Sequence, residues 1–413
     1  MTSIQRPDDM PFSRQRIDEL IAVYRDGLLQ DTVPFWLQYG VDHEFGGVLT
    51  ALDRDGSVLD MDKGVWQQGR FAWLMGELYN NVEARDEWLR PALDTAEFME
   101  THCRDPEDGR LWFHVTREGL PIRKRRYAFS ERFAAIALDE LARATGQDRY
   151  RDRARSFFQA FLERGLNPKP ADQKFTSSRP TTEIGFPMIT IATTQELRGS
   201  VGLEEADEWI DRSIERIRAL HMKPEIECVM ETVGPDGRIL DHFDGRTLIP
   251  GHAIEGAWFI MSEGQHRHDR TLIDVGCQML DWMWHRGWDT EYGGLLYFLD
   301  VDGHPVQEYW HDMKFWWPHN ETIIATLLAY HLTSNPKYAD WHRQVHDWSY
   351  RHFPDREQGE WFGYLHRDGQ LSVPLKGNLW KGPFHLPRMQ LTCWKLLEEI
   401  LRERSIVDSS GVD

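Results

Sequence analysis

One short passage recurs along this chain, each time after a segment whose apolar residues repeat at helical spacing. Asp42-His43-Glu44-Phe45-Gly46-Gly47 leads to an apolar stretch and then Asp55-Gly56. Asp105 to Gly109 leads to Leu111-Trp112-Phe113 and Glu118-Gly119, and Asp289 to Gly294 leads to Leu295-Leu296-Tyr297-Phe298 and Asp302-Gly303. Asp355 to Glu360 leads to Trp361-Phe362-Gly363-Tyr364 and Asp368-Gly369, and Met230 to Gly237 is a fainter copy. Each reads as two short strands joined by a turn. Between them the periodicity predicts twelve helices, at about 13–38, 65–81, 86–103, 128–145, 148–165, 184–199, 204–220, 252–265, 268–286, 317–333, 336–352 and 383–402. Short connections join the second helix to the third, the fourth to the fifth, and so on, while the long connections carry the hairpins. A repeated unit of this kind buries its apolar face by stacking on its neighbours. Short links make antiparallel pairs, and long hairpins all return at one end. Six pairs then close into a double ring, an all-α (α/α)6 barrel with short β-hairpins in the long loops at one end. An open solenoid is the alternative, but the first and last helices lack polar capping faces.

Composition limits the partners. Of 413 residues 41% are hydrophobic and 12% aromatic, enough for a core of this size. No Gly/Ser/Pro linker interrupts the chain, so one domain over 1–413 is expected, with a core at about 13–403 and ragged ends at 1–12 and 404–413. A formal charge of −19 argues against nucleic acid and anionic membranes as partners. The one basic run, Arg123-Lys124-Arg125-Arg126, reads as a solvated loop. No apolar run approaches the ~20 residues that span a bilayer. The polar start, Met1 to Met10, is unlike a signal peptide, and Cys103, Cys228, Cys277 and Cys393 lie far apart as free thiols. A cytoplasmic location is expected.

Polar residues in aromatic surroundings gather at the starts of the even-numbered helices. Arg70 sits near the start of the second, Ser130 and Glu131 open the fourth, and His252 and Glu255 open the eighth. His319 and Glu321 open the tenth after Trp316-Trp317-Pro318, and His385 opens the twelfth close after Trp380. If the even helices form the inner ring, all of these converge on one mouth. Singly, each has an ordinary reading: capping or dipole chemistry for a glutamate, core packing for a tryptophan, a structural group for a histidine. Together they point to a site. His252 and Glu255, three residues apart, share a helix face, and a carboxylate beside an imidazole fixes its tautomer. A histidine at a helix N-terminus tends to stay neutral, as a general base requires. A metal held by His252, Glu255, His319 and His385 matches no known ligand spacing, so none is assigned. No phosphate loop, nucleophile elbow or HExxH occurs.

Six motifs in order resemble those of the N-acylglucosamine 2-epimerase family: Trp66-Gln67-Gln68-Gly69-Arg70; Phe129-Ser130-Glu131; Pro250-Gly251-His252 with Glu255; Lys314-Phe315-Trp316-Trp317-Pro318-His319 with Glu321; Gly359 to Tyr364; and Lys381-Gly382-Pro383-Phe384-His385-Leu386-Pro387-Arg388. The likeness runs from about residue 35 to 400. It implies an (α/α)6 barrel, usually a homodimer, that interconverts N-acyl-D-glucosamine and N-acyl-D-mannosamine. Cellobiose and mannose 2-epimerases and aldose–ketose isomerases are its relatives. The resemblance assigns the acid/base roles to His252 and His385, supporting roles to Glu255 and Glu321, and a place near the sugar oxygens to Arg70. It implies no cofactor for the chemistry, but ATP as an allosteric activator. Trp316, Trp317, Trp380, Ser130, Glu131 and His319 are the expected substrate-binding residues.

The reaction suits the residues. One histidine removes the C2 proton of the open-chain sugar, Arg70 steadies the oxygen that becomes negative, and the other histidine returns a proton to the opposite face. Glu255 is expected to orient His252, and Glu321 to assist ring opening or bind a hydroxyl. Returning the proton to C1 instead gives a ketose. A glycoside hydrolase using Glu255 and Glu321 as its carboxylate pair is the rival from another reaction class, though it leaves both histidines idle.

Overall fold

The computed structural model describes residues 12–123, 128–166, 176, 178–199 and 201–410. Lys124, Arg125 and Arg126 of the basic run lie outside the described residues. Helix α1 starts where the Ser13 hydroxyl accepts Arg16 N–H at 3.2 Å. It runs through Arg14–Asp26 and a π-helical Gly27–Thr32 into Val33–Tyr39. There follow α2 (Val65–Asn81), α3 (Asp86–His102), α4 (Phe129–Thr145), α5 (Asp148–Leu166) and α6 (Gly185–Leu197). Helix α7 is Ala206–Arg216 continued by a π-helical Ile217–His221. The rest are α8 (Pro250–Arg267), α9 (Arg270–Gly287), α10 (Trp316–Thr333), α11 (Pro336–His352) and α12 (His385–Ser410). Beyond the expected twelve there is a one-turn helix, Phe243–Arg246. Helix α12 continues to residue 410, although a ragged end was expected from 404. Packing against α1 supports the extension, as does Arg404 Nη1 donating to Phe12 O at 2.6 Å.

Burial divides the helices into two rings. All residues from Trp316 to Tyr330 of α10 and from Ser130 to Ala142 of α4 are buried. Helix α1 buries Ile17, Leu20, Ile21 and Tyr24 along one stripe of Arg14–Asp26, and α11 likewise buries one face. A helix enclosed all round belongs inside, and one with a single apolar stripe belongs outside. The contacts agree: α2 packs on α4, α4 on α6, α6 on α8, α8 on α10 and α10 on α12, while each odd helix lies against an even one, α1 against α12. This is an (α/α)6 barrel. Its buried apolar side chains form one continuous cluster. Gly146, His268 and Ser334, all at positive φ, turn the chain in three of the short links.

The long loops build a stitched rim. The strand that enters an inner helix pairs with the hairpin of the next unit: Lys63–Gly64 with His114–Val115, Thr182–Glu183 with Thr232–Val233, Thr247–Leu248 with Leu299–Asp300, and Lys314–Phe315 with Tyr364–Leu365. Three of the four clear hairpins form as expected, at 51–60, 114–123 and 364–373. The fourth does not. Leu299–Asp300 pairs back to Thr247–Leu248, held by Arg246 Nε on Asp300 Oδ2 at 3.0 Å and by Val301 N–H on Arg246 O.

The aspartate opening each of three loops is a clasp. Asp42, Asp289 and Asp355 each accept two backbone N–H groups of their own turn. Each also takes a fully buried lysine, respectively Lys63 (2.8 Å), Lys314 (2.9 Å) and Lys376 (2.9 Å). An arginine from the next hairpin completes the clasp: Arg117 on Asp42, Arg367 on Asp289, and Arg54 on Asp355. Burial works against these carboxylates, but the paired cations prevail and hold all three well below the usual range.

Candidate active site

The even helices are the inner ring, and Arg70, His252, Trp317, Phe384 and His385, at or beside their N-termini, come together. Trp317 is the spacer. Its ring lies 5.0 Å from His252 and 5.7 Å from His385, tilted by 36° and 40°. Phe384 touches His385 at 5.2 Å and carries the Arg70 guanidinium over its ring at 4.8 Å. Arg70 also lies over Trp66 and Phe133, and its buried Nε has no partner. Burial, then Arg132 and Arg388, weigh against its charge, so an oxygen bearing negative charge is what this guanidinium lacks.

Each histidine bears a carboxylate on Nδ1. His385 Nδ1 lies 2.7 Å from Glu321 Oε1, and since a carboxylate only accepts, the imidazole N–H donates. Burial, then Arg388, hold His385 well below its ordinary pKa, so it is neutral with Nε2 as its free base. His252 Nδ1 lies 3.1 Å from both oxygens of Glu231. This ring is deep, yet 33% of its side chain is exposed, as in an open recess. Burial lowers its pKa, but the Glu231 charge and hydrogen bond, then Glu255 and Glu183, outweigh that and raise it. The neutral state expected of a helix-start histidine is reinforced at His385 and opposed at His252.

Two carboxylates have other partners than those expected. Glu255 does not orient His252; it accepts Arg388 Nη2 at 2.5 Å. Glu321 is fully buried and occupied, with Oε1 on His385 and Arg388 and Oε2 on Trp258 Nε1, so it is not free for a hydroxyl. Glu255, Glu321 and His385 are close enough together to suit a cation, and the Arg388 guanidinium stands there, 2.5, 2.7 and 3.4 Å from the three.

Of the other expected binding residues, His319, Glu131 and Ser130 make contacts that hold the fold. His319 turns outward: its ring stacks on Trp348 of α11 at 4.8 Å, Nδ1 bonds Phe315 O, and Nε2 accepts Leu295 N–H. Burial pushes its pKa down to about 3. Gly294, at φ +74°, passes so close that a Cβ there would come 2.9 Å from His319 Nε2. Glu131 accepts Arg110 Nε and Leu111 N–H, and the Ser130 hydroxyl donates to Trp112 O, so both anchor the preceding hairpin. Trp316 is buried, edge-on to Tyr364 and His385. Trp380 is 40% exposed, edge-on to Trp66 at 5.5 Å, on a loop that Gln67 holds through Leu379 O and Trp380 O.

Sequence reasoning missed Glu231, Trp258 and Arg388 as site residues. Arg388 lies three residues after His385 and Trp258 three after Glu255, so helical spacing could have found both. Glu231 lies on a short connection without periodicity, and only its place in the faint hairpin copy marked it.

Two carboxylate-bound imidazoles thus stand either side of Trp317 within the double ring of helices. Residues 46–385 match the family model described as N-acylglucosamine 2-epimerase (GlcNAc 2-epimerase). The chain is 35% identical over 405 residues to the N-acylglucosamine 2-epimerase of Bos taurus, covering 94% of each. Among solved structures it resembles the cellobiose 2-epimerase of Bacillus thermoamylovorans, with TM-score 0.80 and 20% identity over 92% of this chain and 100% of that one. It also resembles a D-mannose isomerase, with TM-score 0.78 and 17% identity over 94% and 98%. The two structures support the fold alone. The chain belongs to the N-acylglucosamine 2-epimerase family, and it is an isomerase of the carbohydrate 2-epimerase type.

Proposed function

We propose that the protein interconverts N-acyl-D-glucosamine and N-acyl-D-mannosamine by a two-histidine exchange at C2. The observation that carries this reading is the pair of carboxylate-bound imidazoles set either side of Trp317. With Nδ1 of each tied to a carboxylate, Nε2 of each is left to meet substrate. In the open-chain sugar the C2–H bond lies beside the aldehyde. His385 Nε2 takes that proton, the C–H electron pair moves into a C1–C2 double bond, and the aldehyde oxygen becomes an enolate oxygen beside Arg70. His252 then gives a proton to C2 from the other face, the electron pair returns from the oxygen, and C2 is inverted. The reverse reaction exchanges the two roles.

Both carboxylates of the hydrolase alternative are bound to one guanidinium and Glu321 is fully buried, so they are not set to attack and protonate a glycosidic bond. The reading takes the chain as one catalytic domain acting as a homodimer, with ATP as an allosteric activator and no cofactor in the chemistry. Among the described residues no helix is long and apolar enough to cross a membrane.

Turnover in D2O tests the mechanism. The product should carry deuterium at C2, and His252→Asn and His385→Asn should each abolish net epimerisation while washing deuterium into opposite epimers. A product unlabelled at C2 eliminates the two-base route, and a ketose product makes the enzyme an aldose–ketose isomerase. The same NMR assay on N-acetylglucosamine, N-acetylmannosamine, mannose, glucose and cellobiose, with and without ATP, reads the substrate and the activator. Sedimentation reads the oligomer.

A further inference from the structure

The two histidines have unlike surroundings, and the difference traces to one side chain outside the inner helices. His385 is held by Glu321, whose charge Arg388 already shares. His252 is held by Glu231, which presents both oxygens at 3.1 Å. Glu231 follows the strand Cys228–Val229 and precedes Thr232–Val233, which pairs with Thr182–Glu183. Its backbone carbonyl, not its side chain, secures the local structure by accepting Ile184 N–H at 3.0 Å. The carboxylate is turned to the imidazole, and it is 16% exposed.

We propose that Glu231 is the positioning residue for His252: its carboxylate fixes the imidazole with N–H on Nδ1 and keeps it loaded as the proton donor, while His385 rests as the acceptor. This rests on the two-base reading above. The groups that face His252 are Glu231 and Glu183 from the paired strands, Glu255 from its own helix, the Trp317 ring from α10 and His385 from α12. Three of these are acidic, and Glu231 hydrogen-bonds the ring. A charge-assisted bond of this kind is stronger than a neutral one and favours the protonated ring. The balance is simple. In the resting enzyme the pair holds one proton, on His252. After one inversion the proton taken from C2 sits on His385 and His252 is neutral. Glu231 favours the return of a proton to His252, so the pair is reset for another substrate of the same configuration.

The experiment compares wild type, Glu231→Gln and Glu231→Asp by imidazole 15N NMR, with the His252 signal identified by its loss in His252→Asn, and by pH profiles of epimerisation. In E231Q the His252 titration should move to lower pH. Its kcat should fall by part of the roughly 10²–10⁴-fold that positioned proton transfer contributes, with KM changing less than about twofold. The alkaline limb of kcat/KM should move to lower pH, and by the same amount in both directions, because the overall equilibrium is fixed. E231D, which keeps the charge on a shorter arm, should bring the limb back toward wild type. An unchanged His252 titration in E231Q overturns the proposal. So does a loss of kcat that comes with early melting and an unmoved alkaline limb, which is what a merely structural glutamate gives. If wild type fails to label C2 in D2O, the two-base reading falls on that result, and the imidazole titration judges the Glu231 pairing by itself.

Discussion

Asp289→Asn isolates the chemistry of the rim clasps. Lys314 is fully buried, and burial pushes its pKa down to about 8 even with Asp289 opposing. Apart from Asp289 Oδ2 at 2.9 Å, its acceptor is Gly294 O at 3.4 Å. Lys63 and Lys376 are better placed, each keeping a carbonyl near 2.7 Å. Removing the Asp289 charge strands the ammonium, and breaking a buried pair from one side costs about 3–5 kcal/mol. Unfolding entropy of about 2.1 cal/mol/K per residue gives roughly 0.9 kcal/mol/K for 413 residues, so the melting temperature should drop about 3–6 °C. Arg367 also loses Asp289, but it keeps Glu291 at 3.2 Å and at 40% exposure it reaches water. Linkage fixes the sign with pH. The folded lysine of the variant titrates lower than in wild type, so between those two values the unfolded variant binds the extra proton and stability rises with pH by about 1.36 kcal/mol per unit. The deficit against wild type should therefore shrink as pH rises toward 8 and stay level above it, where both folded chains have lost the proton. Adding Lys314→Met should recover most of the loss. Calorimetry at pH 6, 7, 8 and 9 reads all of this. A single variant melting within about 1 °C of wild type would refute the reasoning, as would a deficit that neither varies with pH nor yields to the second substitution.

Three further outcomes follow from burial and partners. The depressed pKa values of Asp42, Asp289 and Asp355 contribute stability that is fully present above the unfolded value near 3.9 and is lost as pH falls toward the folded values; circular dichroism from pH 5 to 2 should show Asp289→Asn/Lys314→Met losing less stability on acidification than wild type. Trp380→Ala should raise KM while leaving the melting temperature within about 1 °C, whereas buried Trp316→Ala should cost about 3–5 kcal/mol; the opposite ranking would count against Trp380 as a sugar platform. His319→Ala should lower stability by about 1–3 kcal/mol through its stranded N–H and carbonyl partners, and a moved pH–rate profile in the folded fraction would return it to the chemistry.

The helices were legible because their evidence is local: period, turn residues and the alternation of short and long links. The missing hairpin at Leu299–Asp300 was not, since pairing to Thr247–Leu248 depends on a neighbour 52 residues earlier. Site positions were legible for the same reason as the fold, because Arg70, His252 and His385 stand at inner-helix starts. Side-chain direction was not. An inner helix such as α10 is buried all round and its polar residues His319 to Thr322 run consecutively, so no polar stripe marks which face meets the axis. His319 and Glu321 begin the same helix, and one turns to Trp348 while the other turns to His385. Spacing put Glu255 on the His252 face but could not show that Arg388, 133 residues away, takes its oxygen.

The Arg54–Asp355 clasp joins positions 301 apart, and this bears on how the protein is made. Synthesis delivers the first hairpin well before its partner, and its arginine waits for an aspartate made 301 residues later. The Lys376 that completes the same clasp comes later still. His385 and Arg388 follow 9 and 12 residues after it, so rim closure and the meeting of the two histidines wait for the same stretch of chain. A chain truncated before that point keeps Arg70 and His252 but lacks their counterparts, and it exposes the sides of α1 and α2 that the C-terminal segment covers. Such an incomplete chain would present the exposed apolar surface that makes partly folded species prone to aggregate.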